Sequence, residues 1–293
     1  MAKRIARPVP RVLSEPAALT GEELTAVDLS PDGKTIVIGG SFSIRSIDVV
    51  SGKDRTLKPN FGAVWAARFT PDGRKVLGGV GDHFIAWKST GEVAFEAATH
   101  GIVRRISTSR DGKVAATSTW EKDVRVWDLA KGRELGGFTL DKSLVNGSAL
   151  SPDGKLVACG GSDGFARIFD ARTGALVKAT AGKGWIDVVE RGGAMFATAG
   201  RAAQVVLWSW SGEKGRVLGD MTTAITVLGV SPDGKWVAAC GKKAAPLVWS
   251  TKTGKVVAAL EGHEKVGALC FSSDSRSIVT AGEPLVRIWE MPE

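Results

Sequence analysis

A short turn sequence recurs along this chain at a nearly constant interval, and it constrains the fold more than any other feature. The tetrapeptide Ser-Pro-Asp-Gly or a close variant occurs six times, at residues 30–33, 70–73, 109–112, 151–154, 231–234 and 272–275. Successive Asp residues of these turns are 40, 39, 42, 80 and 41 residues apart. A period of about 40 residues indicates a repeat architecture.

Seven units result, because the interval of 80 residues holds one unit without its turn signature, near residues 189–193. In each unit a β-rich run precedes the turn, an apolar run follows it, and a third run ends on a large apolar residue. Those residues are Ile47, Trp87, Trp127, Phe169, Trp208, Trp249 and Trp289. Four short strands per unit and no sustained 3.6-residue period predict an all-β fold.

The repeat resembles the WD40 family in all seven units. Its Trp-Asp dipeptide is intact at Trp127-Asp128, and its Gly-His dipeptide survives at Gly262-His263. The resemblance implies a seven-bladed β-propeller of four-stranded antiparallel blades around a channel. Because the last unit stops after three strands, we expect residues 11–19 to complete the last blade. Residues 11–293 then form one propeller, and residues 1–10 form a basic, disordered tail.

The charge of the chain argues against a generally basic nucleic-acid surface. The formal net charge is +8, and half of it comes from the N-terminal residues Lys3, Arg4, Arg7 and Arg11. The propeller itself is therefore nearly balanced. A local basic sector is expected on the loops of the fifth and sixth units, from Lys183, Arg201, Lys242 and Lys243.

The sequence contains no constellation typical of catalysis. It has no phosphate-binding P-loop and no Gly-x-Ser-x-Gly elbow, and its three His fall in three different units. The three Cys (Cys159, Cys240 and Cys270) lie in apolar runs without metal-ligand spacing, which predicts buried, reduced thiols and a cytoplasmic protein. No apolar run is long enough for a membrane helix. We therefore expect no catalytic residue, no metal, no cofactor and no membrane insertion.

The resemblance also implies a structural hydrogen-bond network of a His, a Thr, an acid and the repeat Trp. In the third blade the matching residues are His100, Thr119, Glu121 and Trp127, and in the seventh they are His263, Thr280, Glu283 and Trp289. A catalytic His–acid pair is the alternative interpretation. The repeat position explains each residue, so the structural interpretation is favoured.

Candidate binding residues follow from the expected position of the loops. The loops before each first strand and between the second and third strands lie on one face, called the top. Counting six residues back from each turn proline predicts a ring there of Thr25, Trp65, Arg104, Asn146, Trp185, Thr226 and Gly267. Trp120 extends it. Trp and Arg dominate binding hot spots, although these Trp side chains equally suit packing in the channel.

The resemblance implies a non-catalytic scaffold or adaptor that binds a protein or peptide through Trp65, Arg104, Trp120, Asn146, Trp185 and the basic sector. One alternative is a nucleic-acid-binding module that uses the basic sector and the tail, with salt-sensitive binding. A second is a hydrolase acting in the channel. Fold alone does not decide between them.

Overall fold

A computed structural model of the chain shows an all-β protein. It describes residues 8–9, 11–12, 23–59, 62–140, 143–182, 184–219, 221–241, 243–282 and 285–291. Within these residues the strands form seven four-stranded antiparallel sheets, and no helix is present. The first strands of successive sheets contact one another in a closed ring, with the seventh sheet against the first. The chain is therefore a seven-bladed β-propeller, as predicted.

The strands of each blade are named a to d from the channel outward. Blade 1 consists of β2 (Ala26–Leu29), β3 (Thr35–Gly39), β4 (Ser43–Asp48) and β5 (Asp54–Pro59). Blade 2 consists of β6 (Val64–Phe69), β7 (Lys75–Val80), β8 (His83–Lys88) and β9 (Val93–Ala98). Blade 3 consists of β10 (Val103–Thr108), β11 (Val114–Thr119), β12 (Asp123–Asp128) and β13 (Arg133–Thr139). Blade 4 consists of β14 (Val145–Leu150), β15 (Leu156–Gly161), β16 (Phe165–Asp170) and β17 (Leu176–Ala181).

The remaining three blades follow the same order. Blade 5 consists of β18 (Ile186–Gly192), β19 (Met195–Gly200), β20 (Val205–Ser209) and β21 (Lys214–Leu218). Blade 6 consists of β22 (Ile225–Val230), β23 (Trp236–Gly241), β24 (Leu247–Ser250) and β25 (Val256–Ala259). Blade 7 consists of β26 (Val266–Phe271), β27 (Ser277–Gly282) and β28 (Val286–Glu290), with the N-terminal β1 (Arg11–Val12) outside them.

The recurrent turn forms the same hydrogen bonds in six blades. In blade 1 the Ser30 hydroxyl donates to Asp32 at 2.6 Å and accepts the backbone N–H of Thr35 at 2.8 Å. The residue that follows the Asp has a positive φ in all six: in five blades it is Gly, +71° at Gly33, which glycine adopts without strain, and in blade 7 it is Ser275. These turns close every a–b hairpin except that of blade 5 on one face, called the bottom.

The core lies between neighbouring blades. Seven clusters of buried apolar side chains form, one for each pair of adjacent blades. The large apolar residue one position before the end of each third strand packs against the preceding blade. Trp87 joins the cluster between blades 1 and 2, for example, and Ile47 the cluster between blades 7 and 1. The repeated Trp therefore holds each blade to its neighbour.

The propeller closes as expected, although the described part of the closing strand is short. β1 pairs with β28 in antiparallel register, with Arg11 opposite Ile288 and Val12 opposite Arg287. The rest of the predicted segment, residues 13–19, lies outside the described residues, as does most of the predicted tail. No helix among the described residues is long and apolar enough to cross a membrane.

Candidate functional site

The top of the channel is ringed by one repeated position on the first strands. In blades 2 to 7 the pairing of strand a with strand b shifts register at this position, which marks a β-bulge. The bulge residues are Trp65, Arg104, Asn146, Asp187, Thr226 and Gly267. Bulges re-aim a side chain at the rim of a sheet. The sequence count named five of these six positions correctly.

Blade 5 is the exception, and its ring residue is Asp187 rather than Trp185. Gly192 pairs with Met195, so this hairpin closes through a two-residue turn. The loop between the first and second strands is two residues shorter here than in blade 4. A count that starts from the second strand and assumes the usual loop length therefore ends two residues too early in the chain, at Trp185. Aligning the Gly that ends the second strand in blades 4 to 7, here Gly200 opposite Ile186, would have found the right register from sequence.

Trp185 nevertheless lies on the top face, in the loop before β18. Its side chain is 41% exposed, and the guanidinium of Arg201 lies 3.6 Å from its ring centroid. On the other side of the ring, Trp65 and Trp120 contact each other with centroids 5.3 Å apart. Trp120 is 40% exposed, and Arg104 lies 5.6 Å from its centroid. Each exposed Trp therefore carries a cation over its ring.

These five side chains, with Asp187 between them, are called the Trp–Arg arc. Burial raises the pKa of Asp187, and Arg104 and Arg201 oppose that rise, so the carboxyl group interacts with both ends of the arc. Burial likewise lowers the pKa of Arg104. Below it, burial and the neighbouring Arg104 lower the pKa of Arg105 to about 10. The arc is a partly desolvated surface with more cations than anions.

The other predicted binding residues contribute less to this surface. Asn146 is buried and donates from Nδ2 to the carbonyl of Ile186 at 3.2 Å, which ties blade 4 to blade 5. Lys243 is exposed in the top loop of blade 6. Lys183 and Lys242 lie outside the described residues.

Below the arc an ion pair crosses the channel. Arg68 on β6 donates from Nη2 to Oε1 of Glu190 on β18 at 2.8 Å, and its Nη1 lies 3.8 Å from Asp28 on β2. The negative charge of Glu190 raises the pKa of Arg68, whereas burial raises the pKa of Asp28. This group joins blades 1, 2 and 5 across the channel, and the sequence analysis did not single out any of its members.

In blade 7, Thr280 contacts two other members of the expected hydrogen-bond network, Trp289 and His263. The hydroxyl of Thr280 accepts the indole N–H of Trp289 at 2.8 Å and lies 2.8 Å from Nε2 of His263. Burial and the nearby Arg287 lower the pKa of His263 to about 4, so the imidazole is neutral at pH 7. Glu283 lies outside the described residues.

In blade 3 the prediction of Thr119 as the partner of Trp127 was wrong. The indole N–H of Trp127 donates to Thr117 at 2.9 Å, and Trp208 of blade 5 donates to the equivalent Thr198 at 2.8 Å. Thr117 and Thr119 share a face of the strand, but only Thr117 lies within hydrogen-bonding distance of the indole N–H. His100 and Glu121 are exposed and outside this bond.

Thr280→Val is expected to lower the free energy of unfolding by about 2–3 kcal/mol, because it leaves both Trp289 and His263 without their common partner. Val keeps the shape of Thr, so the loss reports the hydroxyl alone. The matched variant Thr198→Val removes the partner of one donor and is expected to cost about 1–2 kcal/mol. Chemical denaturation measures both. Equal losses would show that His263 gains nothing from Thr280.

The described residues contain no group of three or more His, Cys, Asp or Glu side chains that could hold a metal. Cys159, Cys240 and Cys270 are free and buried, as predicted. Burial raises the pKa of Cys159 and of Cys240 to about 12, so these thiols are protonated and unreactive at pH 7.

Comparison with known families matches three segments of the chain. The model of the WD domain, G-beta repeat (WD40), matches residues 92–128, 133–170 and 254–290. Each matched segment contains the outer strand of one blade and the first three strands of the next. This stagger is the reason that the last blade needs a strand from the N-terminal end of the chain.

A curated relative is the small ribosomal subunit protein RACK1y of Oryza sativa subsp. japonica. It is 26% identical over 210 residues, which cover 64% of this chain and 60% of the relative. The alignment thus spans about three fifths of that protein's length.

Proposed function

For a chain that carries WD40 repeats in a seven-bladed propeller, we propose the role of a non-catalytic scaffold that binds a protein or peptide on the Trp–Arg arc. The observation that carries this proposal is the pair of Trp side chains, 40% and 41% exposed, that lie on one face with Arg cations over their rings. Trp and Arg contribute most to binding hot spots. A rigid scaffold that presents them in loops suits recognition rather than packing.

The similarity to RACK1y agrees with this role, because that relative is named as a protein of the small ribosomal subunit, which is a larger assembly. By analogy we place this chain in the cytoplasm, with a protein partner. The excess of Arg over acidic side chains in the arc favours a partner segment that combines acidic residues with apolar or aromatic ones.

Nucleic-acid binding remains the second candidate. It is favoured by Arg201 and Lys243 on the top loops of blades 5 and 6, together with Lys183 and Lys242 in the sequence. The stacking of Arg201 on Trp185 also suits an unpaired base, since aromatic side chains are platforms for single strands. Hydrolase activity is not proposed, since no side-chain cluster in the described residues supports it.

Quantitative affinity purification from the source cells tests the scaffold role. Trp120→Ala and Trp185→Ala are expected to keep the fold, because both side chains are at the surface, and to weaken partner recovery by roughly 30-fold, as for a hot spot worth 2 kcal/mol. Leu176→Ala is the matched control, since Leu176 is 56% exposed on the outer strand of blade 4, away from the arc.

Recovery that is unchanged in both Trp variants would refute the arc as the binding surface. Nuclease treatment of the lysate separates the second candidate: partners that depend on RNA or DNA disappear, and binding to purified oligonucleotides then falls steeply with salt.

A further inference from the structure

The lower half of the channel is a chamber that the proposed scaffold role does not use. It has a volume of about 410 Å³ and opens on the bottom face. The Arg68–Glu190 pair lines both this chamber and the small cavity under the arc, and so it separates the two. The mouth is lined by the turn prolines Pro31, Pro71, Pro152 and Pro232. Ligand pockets commonly have volumes of roughly 300–1,000 Å³.

Two arginines, Arg191 and Arg110, line this chamber at positions that are uncharged in the other blades. Arg191 pairs with Phe196 at the end of β18. The equivalent residues in the other blades are Leu29, Phe69, Thr108, Leu150, Val230 and Phe271. Arg110 occupies the turn position that is Pro in four other blades. Since the other blades fold with uncharged residues at these positions, folding does not require either cation.

Neither guanidinium is neutralised within the described part of the chain. Arg191 and Arg110 form no side-chain hydrogen bond or ion pair with any described residue, whereas Arg68 is engaged by Glu190 and Asp28. Burial lowers the pKa of Arg191, the charge of Arg68 and, more weakly, that of Arg110 lower it further, and the charge of Glu190 opposes this fall. Three cations, Arg68, Arg110 and Arg191, therefore face one chamber with two carboxyl groups, and the ion pairs that these carboxyl groups form are with Arg68.

We propose that the lower chamber binds a small phosphate-bearing molecule, which enters from the bottom face and is held by Arg191 and Arg110. The guanidinium group offers a planar set of N–H donors that matches phosphate oxygens in pairs. The ion pair between Arg68 and Glu190 forms the inner end of the site. This site is separate from the Trp–Arg arc, and its test does not depend on a partner protein.

Isothermal titration of the full chain with inorganic pyrophosphate tests the proposal. Saturable binding to one site is expected, and Arg191→Gln and Arg110→Gln are each expected to weaken it at least tenfold. Arg110 is exposed, so Arg110→Gln is expected to leave the stability of the protein unchanged. This variant therefore tests the site even if Arg191→Gln lowers stability. Arg74→Gln is the matched control: its side chain is 85% exposed on the same bottom face, outside the chamber, and it removes the same charge.

Three outcomes would overturn the site. One is the absence of saturable pyrophosphate binding, and another is an equal loss in Arg74→Gln and Arg191→Gln, which would show a general effect of net charge. The third is binding of citrate as tightly as pyrophosphate, which would show that the chamber does not select phosphates over carboxylates.

Discussion

Glu190→Gln is expected to lower the free energy of unfolding by about 2–3 kcal/mol. The variant removes the anion that lies 2.8 Å from Arg68 and leaves a guanidinium in the channel with Asp28 alone, 3.8 Å away. Breaking a fully buried pair costs about 3–5 kcal/mol. The side chains of Arg68 and Glu190 are 28% and 19% exposed, so water in the channel reduces the loss. Denaturant titration at neutral pH measures it.

Glu92→Gln is the matched control for this prediction. Glu92 pairs with Lys88 at 3.0 Å on the surface, with both side chains more than half exposed, and exposed pairs contribute about 1 kcal/mol at most. A double variant, Arg68→Met with Glu190→Met, is expected to recover part of the loss, because it removes both members of the pair and leaves Asp28 with the backbone N–H of Phe69 as its partner. If Glu190→Gln costs no more than Glu92→Gln, the cross-channel pair does not stabilise the propeller.

A chain that begins at Thr20 lacks the N-terminal tail and the predicted closing segment, residues 11–19. It is expected to melt several degrees below the full chain and to aggregate. The truncation removes β1 and exposes the backbone of β28 along the last blade. An unpaired strand edge of this kind recruits other chains. The packing of blade 7 on blade 1 would remain, through side chains such as Ile36 and Val279. The ring is therefore expected to loosen at one seam instead of unfolding throughout.

A chain that begins at Val9 is the control, because it loses the charges of Lys3, Arg4 and Arg7 but keeps β1. It is expected to melt like the full chain and to stay monomeric. Differential scanning calorimetry and light scattering compare the three proteins. Closure by β1 would be refuted by a truncation at Thr20 that stays soluble with an unchanged melting temperature.

Much of the architecture was accessible from sequence because its determinants are local and periodic. Each Ser-x-Asp turn forms its own hydrogen bonds within five residues, as at Ser30, and each repeat Trp follows at a regular distance. The number of blades, the antiparallel strand order and the place of Trp87 and its equivalents near the end of each third strand were therefore predicted, and the structure confirms them.

The candidate sites were predicted less completely. Trp120 and Trp185 were singled out and do lie exposed on the top face, but their role in binding stays a prediction. Asp187 was missed because the hairpin of blade 5 lacks two residues, and Thr117 was missed because Thr119 is a plausible partner on the same face. Both errors are of two residues, and they arise where the repeat signature is absent or where the same residue type recurs on one face of a strand.

By itself the sequence determined the ring, because each unit carries an apolar strand pattern and one large residue that packs between blades, and six of the seven units share a turn. Seven such units specify seven blades. Only the tertiary structure decided which side chains meet across the channel. Arg68 and Glu190 are 122 residues apart in the chain, and Arg110 and Arg191 belong to different blades. Their proximity depends on closure of the whole ring, because no local hydrogen bond or period relates residues on opposite sides of a channel.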